Sequence, residues 1–302
     1  MPSLKDFRTR IASVKNTRKI TSAMKMVAAS KLRQAQLRAE ASRPYASRIK
    51  EALARLVLTI GQRDEVIPLL DGRADVRKVL LIAVAVDRGL AGGFNTNLVR
   101  EVRRRISDLV VDNKEIKLVT VGRRGRDLLK REFPDMLLEH HAFRPDFQTA
   151  EALSSMMTKL YEDGEYDEVH VVYSKFVNVM TQLPATEQII PFRIPEDAIA
   201  KIQSKELENA LYHEHASGVY RFEPDAMTLL KSLVPQQIAA QMYSILLEVG
   251  AGEQAARMTA MDNASRNAGD MINGLTLQYN RARQAYITKE MTEIVSGVEA
   301  SS

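Results

Sequence analysis

The 302-residue chain contains no cysteine and no tryptophan. Without a thiol there is no disulfide, no zinc–thiolate centre, no thiol nucleophile and no thiol redox switch. Aromatic residues make up only 6%, a share that suits long solvated helices better than a compact enzyme. Long apolar runs are missing too. The longest, Val79 to Val86, is far shorter than the ~20 residues of a membrane-spanning helix. The opening Met-Pro-Ser-Leu-Lys-Asp has no apolar signal core. The expectation is a chain that is cytosolic or peripheral to a membrane.

Signatures of catalysis are absent as well. There is no GxGxxG, no GxxxxGK[ST] and no GxSxG. The histidines, at His140, His141, His170, His213 and His215, have neither the spacing nor the carboxylate cluster of a zinc site. No catalytic residue, cofactor or metal is expected. The loop Asp87-Arg-Gly-Leu-Ala-Gly-Gly-Phe-Asn95 occupies the strand-to-helix position of a phosphate loop without its fingerprint, and reads as a structural turn.

What the chain does have is asymmetric charge. Residues 1–60 carry 14 Lys/Arg against Asp6, Glu40 and Glu51, a net +11; with +5 overall, the remainder sums to −6. The cations surround the segment rather than lining one side, and acidic partners at i+4 are nearly missing. Such a segment suits a negative environment that encloses it. Nucleic-acid binding by this basic helix is the alternative reading. Phe7 and Tyr45 are its only aromatics, which disfavours stacking on single strands.

Glycine and proline divide the chain. Residues 1–60 contain no Gly, and only Pro2 and Pro44 interrupt them. Leu4, Phe7, Ile11 and Val14 space at 3-4-3, and Met24, Ala28, Leu32 and Ala35 continue the stripe after a register shift. The pattern predicts a long helix, with Ser3 and Asp6 as a capping box and a kink or break near Pro44. Residues 75–195 alternate strands (79–86, 116–121, 169–173) with helices (96–111, 124–132, 150–161), the pattern of a parallel α/β sheet. An edge strand at 181–192 is an optional addition. Residues 196–223 are expected to be an irregular connection. In 224–298, positions 258, 261, 265, 268, 272, 275, 279, 282 and 286 form a coiled-coil seam of small and polar residues. Glycines at 250 and 252 predict a bend. The fold class is therefore α/β: a long antiparallel coiled coil of N-terminal (1–60) and C-terminal (224–298) helices, plus a small Rossmann-like parallel α/β foot domain (75–195).

Three segments carry a family resemblance. Ile11-Ala-Ser-Val-Lys-Asn-Thr-Arg-Lys-Ile-Thr-Ser-Ala-Met-Lys-Met-Val-Ala-Ala-Ser-Lys-Leu-Arg33 resembles the N-terminal helix of bacterial-type ATP synthase γ subunits. Glu253–Ala268 with Leu275–Glu290 resembles their C-terminal helix, and Asp87–Asn95 their foot loop. Together these cover about a fifth of the chain. The resemblance implies a central rotor shaft coupling proton flow through the membrane c-ring to ATP synthesis at the catalytic β subunits. It implies as partners three α and three β subunits, the ε subunit and the c-ring, with no nucleic acid, and with membrane contact only through the c-ring. It also implies a peripheral location at the cytoplasmic face of the bacterial inner membrane. By motif match, Met24, Lys25, Arg257, Arg283, Gln284 and Thr288 would face the α/β ring, and Tyr220 and Glu223 the c-ring. Ala91 stands where many relatives carry Cys, and Lys25 where some carry Glu.

Replacing the basic residues of 1–33 by Gln is expected to weaken assembly with α and β at low salt, and to matter less as salt rises. Co-elution measured across a salt series checks this.

Overall fold

The computed structural model describes residues 3–60, 66–194, 200 and 223–299. The expected irregular connection therefore lies almost wholly outside the described residues. The chain divides into two compact units, one from residues 1–30 with 257–302, the other from 31–256.

Two helices dominate. α1, Leu4–Ile60, has 57 residues, and α6, Ala226–Glu299, has 74. At ~1.5 Å per residue their paths run roughly 85 and 110 Å. α1 begins with the expected capping box: Ser3 N–H donates to Asp6 (2.9 Å) and Asp6 N–H to Ser3 Oγ (3.2 Å). The Ser3 N–H, with the Ser3 side chain, holds the Asp6 carboxyl below its ordinary range. The break expected at Pro44 does not occur, and α1 runs through it. An interior proline costs ~3 kcal/mol, but Ile49, Leu53 and Leu56 in the following turns are buried in the core. Their packing outweighs that cost. α6 is likewise unbroken at Gly250 and Gly252. A Cβ on Gly252 would lie 3.1 Å from the Phe94 ring, and one on Gly250 3.5 Å from Pro145. These glycines allow close approach of Phe94 and Pro145 to the helix.

Between the helices lies a five-stranded sheet ordered β3-β2-β1-β4-β5. Its strands are β1 Lys78–Val84, β2 Glu115–Val121, β3 Leu137–His141, β4 Glu168–Phe176 and β5 Gln182–Ile190. The first four are parallel, while β5 adds antiparallel to β4, so the sheet is mixed rather than purely parallel. A short connection at 177–181 can only return the chain as a hairpin, whereas parallel pairing needs a helical crossover. β3 has no sequence signal. Its Leu-Leu-Glu-His-His lacks alternation, and its ladder with β2 makes it a strand.

The helices α2 Pro68–Asp71, α3 Phe94–Val111, α4 Arg123–Glu132 and α5 Phe147–Glu162 complete the unit. β1 is buried on both faces. Val79, Leu81 and Ala83 meet Leu98, Val102 and Ile106 of α3. Leu80, Ile82 and Val84 join the larger core, which takes in α5, Leu53 and Leu56 of α1, and Leu230, Val234, Ile238 and Met242 of α6.

Asp167 ties the start of β1 to β4. One carboxylate oxygen accepts the N–H groups of Arg77 and Lys78, both at 2.9 Å, and the other lies 3.5 Å from Arg73. Burial alone would raise its pKa, but the two N–H bonds and Arg73 outweigh that and hold it low. A depressed folded pKa stabilises the fold above the unfolded value near ~4 and is lost as pH falls through the folded one. Asp167→Ala is expected to cost roughly 1–3 kcal/mol at neutral pH, with the deficit shrinking below pH ~4. Urea titrations at several pH values measure this.

Candidate partner-binding surfaces

In the unit formed by the chain ends, α1 and α6 pair with a single antiparallel register. The Arg8 guanidinium donates to Tyr279 Oη (3.0 and 2.8 Å) and lies 5.5 Å from the ring centre. Arg18 lies against Gly269, and Lys25 Nζ is 2.6 Å from Asp262. From the first contact to the second, each helix advances ten residues in opposite directions; from the second to the third, seven.

The expected seam on α6 faces inward. Met261 and Ala268 are buried and Met258, Ser265, Ile272, Leu275, Tyr279 and Ala282 half-buried; Tyr286 is exposed. On α1, Leu4, Phe7, Ile11 and Val14 are inward, as the spacing predicts. After them the 3-4 alternation continues at 18, 21, 25 and 28, where Arg18, Thr21, Lys25 and Ala28 stand. The apolar residues alone show a register shift here because two of these slots hold cations.

Lys25 was expected to face the ring of partners. Its ammonium is engaged within the helix pair, and the side chain remains 45% exposed. That hydrogen bond keeps Asp262 below its ordinary pKa, and Arg266 adds to it. Met24 beside it is half-buried. Arg257 is buried at 9% exposure, so the chain itself covers most of it. Lys5, Lys15, Lys19, Lys31 and Arg33 are exposed, and make no ion pair among the described residues.

The same register sets Leu4 opposite Arg283. α6 therefore continues beyond the start of α1 for residues 284–299, about 24 Å of helix. Every described side chain from Arg283 to Ser296 is exposed. Gln284, Ile287, Thr288, Met291 and Ile294 recur at i, i+3, i+4 and i+7 and so share one face. The Thr288 hydroxyl donates to the Gln284 carbonyl (3.0 Å). The three expected contact residues Arg283, Gln284 and Thr288 thus come together at the tip.

In the other unit, the loop after β1 lies at the point where the strand order reverses, the usual ligand crevice of such sheets. Here the chain's own groups fill it. Asp87 accepts the Arg123 N–H (2.7 Å), Asn95 accepts the Val86 N–H (3.2 Å) and the Val86 carbonyl accepts the Arg124 N–H (3.2 Å). Gly122, at φ 90°, has no room for a Cβ: the Ala85 carbonyl oxygen would be 2.4 Å away. Leu90, with φ 63° and 63% exposed, stands out from this anchored loop. Beside it a groove of about 370 Å³ is lined by Lys31, Arg38, Arg88, Phe143 and Gly250 among others. Glu223 is exposed just before α6, while Tyr220 lies outside the described residues. Among the described residues no group of His, Asp and Glu could hold a metal. No helix there is long and apolar enough to cross a membrane.

Comparison with known proteins decides the family. The family model described as ATP synthase matches residues 3–300. The ATP synthase gamma chain of Ruegeria sp. (strain TM1040) is 46% identical over 99% of this chain and 100% of its own length. The chain belongs to the ATP synthase gamma-chain family. The gamma chain of Paracoccus denitrificans is 45% identical with the same coverage. Among solved structures, a chain of the Tetrahymena thermophila mitochondrial ATP synthase central stalk and c-ring aligns at TM-score 0.59 and 27% identity, covering 82% of this chain and 99% of that one. A chain of the Euglena gracilis mitochondrial enzyme, from its OSCP/F1/c-ring assembly, shares the fold at TM-score 0.66 and 20% identity, covering 98% and 94%. The nucleic-acid reading finds no support among these gamma-chain relatives.

Gly122→Ala is expected to destabilise the unit by about 2–4 kcal/mol, through contact with Ala85 and the left-handed backbone. Denaturant unfolding beside the Gly274→Ala control, whose Cβ would meet nothing within 4 Å, measures it.

Proposed function

We propose that the chain is the central rotor shaft of an F-type ATP synthase, turned by proton flow through a membrane ring of c subunits. Its rotation drives the catalytic β subunits through their binding states. The observation that carries this reading is the match to gamma chains along the whole length, at 45–46% identity. The antiparallel helix pair of small and polar residues supports it physically. A shaft that turns inside a sleeve must avoid deep interdigitation with that sleeve, and unpaired cations around α1 orient it by charge instead.

In this reading the chain performs no catalysis. Residues 1–60 and 224–298 form the shaft, which enters a ring of three α and three β subunits. Residues 75–195 form the foot, which binds ε and rests on the c-ring. Arg283, Gln284 and Thr288 at the tip meet the ring, as do Met24 and Arg257 lower down; Tyr220 and Glu223 meet the c-ring. The chain touches the membrane only through that ring, at the cytoplasmic face of the bacterial inner membrane.

Purified α and β subunits are expected to form a stable complex with sustained ATPase activity only when this chain is added. Equal activity without it, or failure of the chain to co-elute with them, contradicts the proposal.

A further inference from the structure

We infer that Lys25 is a positioning residue: through Asp262 it fixes the register of the two shaft helices, and it influences coupling from inside the shaft rather than by pressing on a partner. The inference rests on the rotor reading above.

The surroundings of the pair carry it. Lys25 occupies a seam position of the 3-4 alternation, and its ammonium lies 2.6 Å from one oxygen of Asp262. The other oxygen of that carboxylate is 3.1 Å from Arg266, so both oxygens are engaged. Around the pair stand Arg18, Thr21, Ser265 and Gly269 with the buried Ala28, Met261 and Ala268, so the apolar part of the packing is small or flexible and discriminates weakly among registers. A slip of one turn would set Lys25 opposite Arg266 in one direction, a like charge, or opposite Met258 in the other. Arg18 adds a steric restriction, since it packs where Gly269 offers no side chain.

The magnitude favours register over stability. A half-exposed ion pair contributes little to folding. A polar pair at a seam position discriminates among registers even when it adds little stability. A shaft transmits torque only if its two helices keep step, so a shifted or mixed register appears as lost coupling rather than lost assembly.

The test uses the assembled complex in vesicles and reads ATP-driven proton pumping per ATP hydrolysed, together with assembly yield. Lys25→Glu is expected to lower the ratio about two- to five-fold, the span of an exposed ion pair, with assembly yield unchanged. Lys25→Arg should keep the parent ratio. Lys25→Glu combined with Asp262→Lys, which restores the attraction with reversed sign, should return most of the lost coupling. Three results overturn the inference: a double variant as impaired as the single one, a single variant indistinguishable from the parent, or reduced assembly with a normal ratio in the complexes that form. Failure of the unaltered chain to assemble would instead contradict the rotor reading itself.

Discussion

The sheet-bearing unit depends on the core that its strands share with both long helices. Leu53 and Leu56 from the end of α1, and Leu230, Val234, Ile238 and Met242 from the start of α6, are buried in the same cluster as Leu80, Ile82 and Val84 of β1. The chain's ends are far apart in sequence, yet the two long helices are anchored on the same side of one sheet. Long helices draw their stability from tertiary packing rather than from propensity, and this core supplies it. It also explains why Pro44 does not end α1, since the turns after it are held from outside the helix.

Away from that core the packing thins. The seam between residues 1–30 and 257–299 has small or polar residues where a strong coiled coil would have leucine, and its middle is held by charge and by a missing side chain. The pairing is well directed but shallow. Beyond Gln284 α6 has no α1 residue opposite it. Its exposed face mixes Ile287, Met291 and Ile294 with Gln284 and Thr288, an apolar stripe that needs cover. An enclosing ring of subunits supplies such cover in the rotor reading.

Much of the fold was legible because its signals are periodic. The run Val79–Val86, the helix of α3 and the seam from Met258 to Ala282 all follow from spacing. What could not be read has physical reasons. β3 is a strand because β2 pairs with it, and nothing in Leu-Leu-Glu-His-His shows that. The antiparallel direction of β5 follows from the shortness of the connection before it, not from its own residues. The ion pair of Lys25 was not legible because a cation on a basic helix looks solvent-facing, and only the register reveals Asp262 opposite it. Arg283, Gln284 and Thr288 were picked out by resemblance, and all three stand exposed together beside the start of α1.

The matched steps along α1 and α6 bear on how such a chain can change length. Inserting one residue before Lys25 would rotate every earlier seam position by ~100° and carry Arg8 away from Tyr279. A whole extra heptad in α1 alone would keep the faces aligned but cover seven more residues of the bare tip. Insertions and deletions in the two paired segments are therefore tolerated only in step with each other. Independent drift in length is left to the connections, and two stretches of helix more than 200 residues apart are bound to a common ruler.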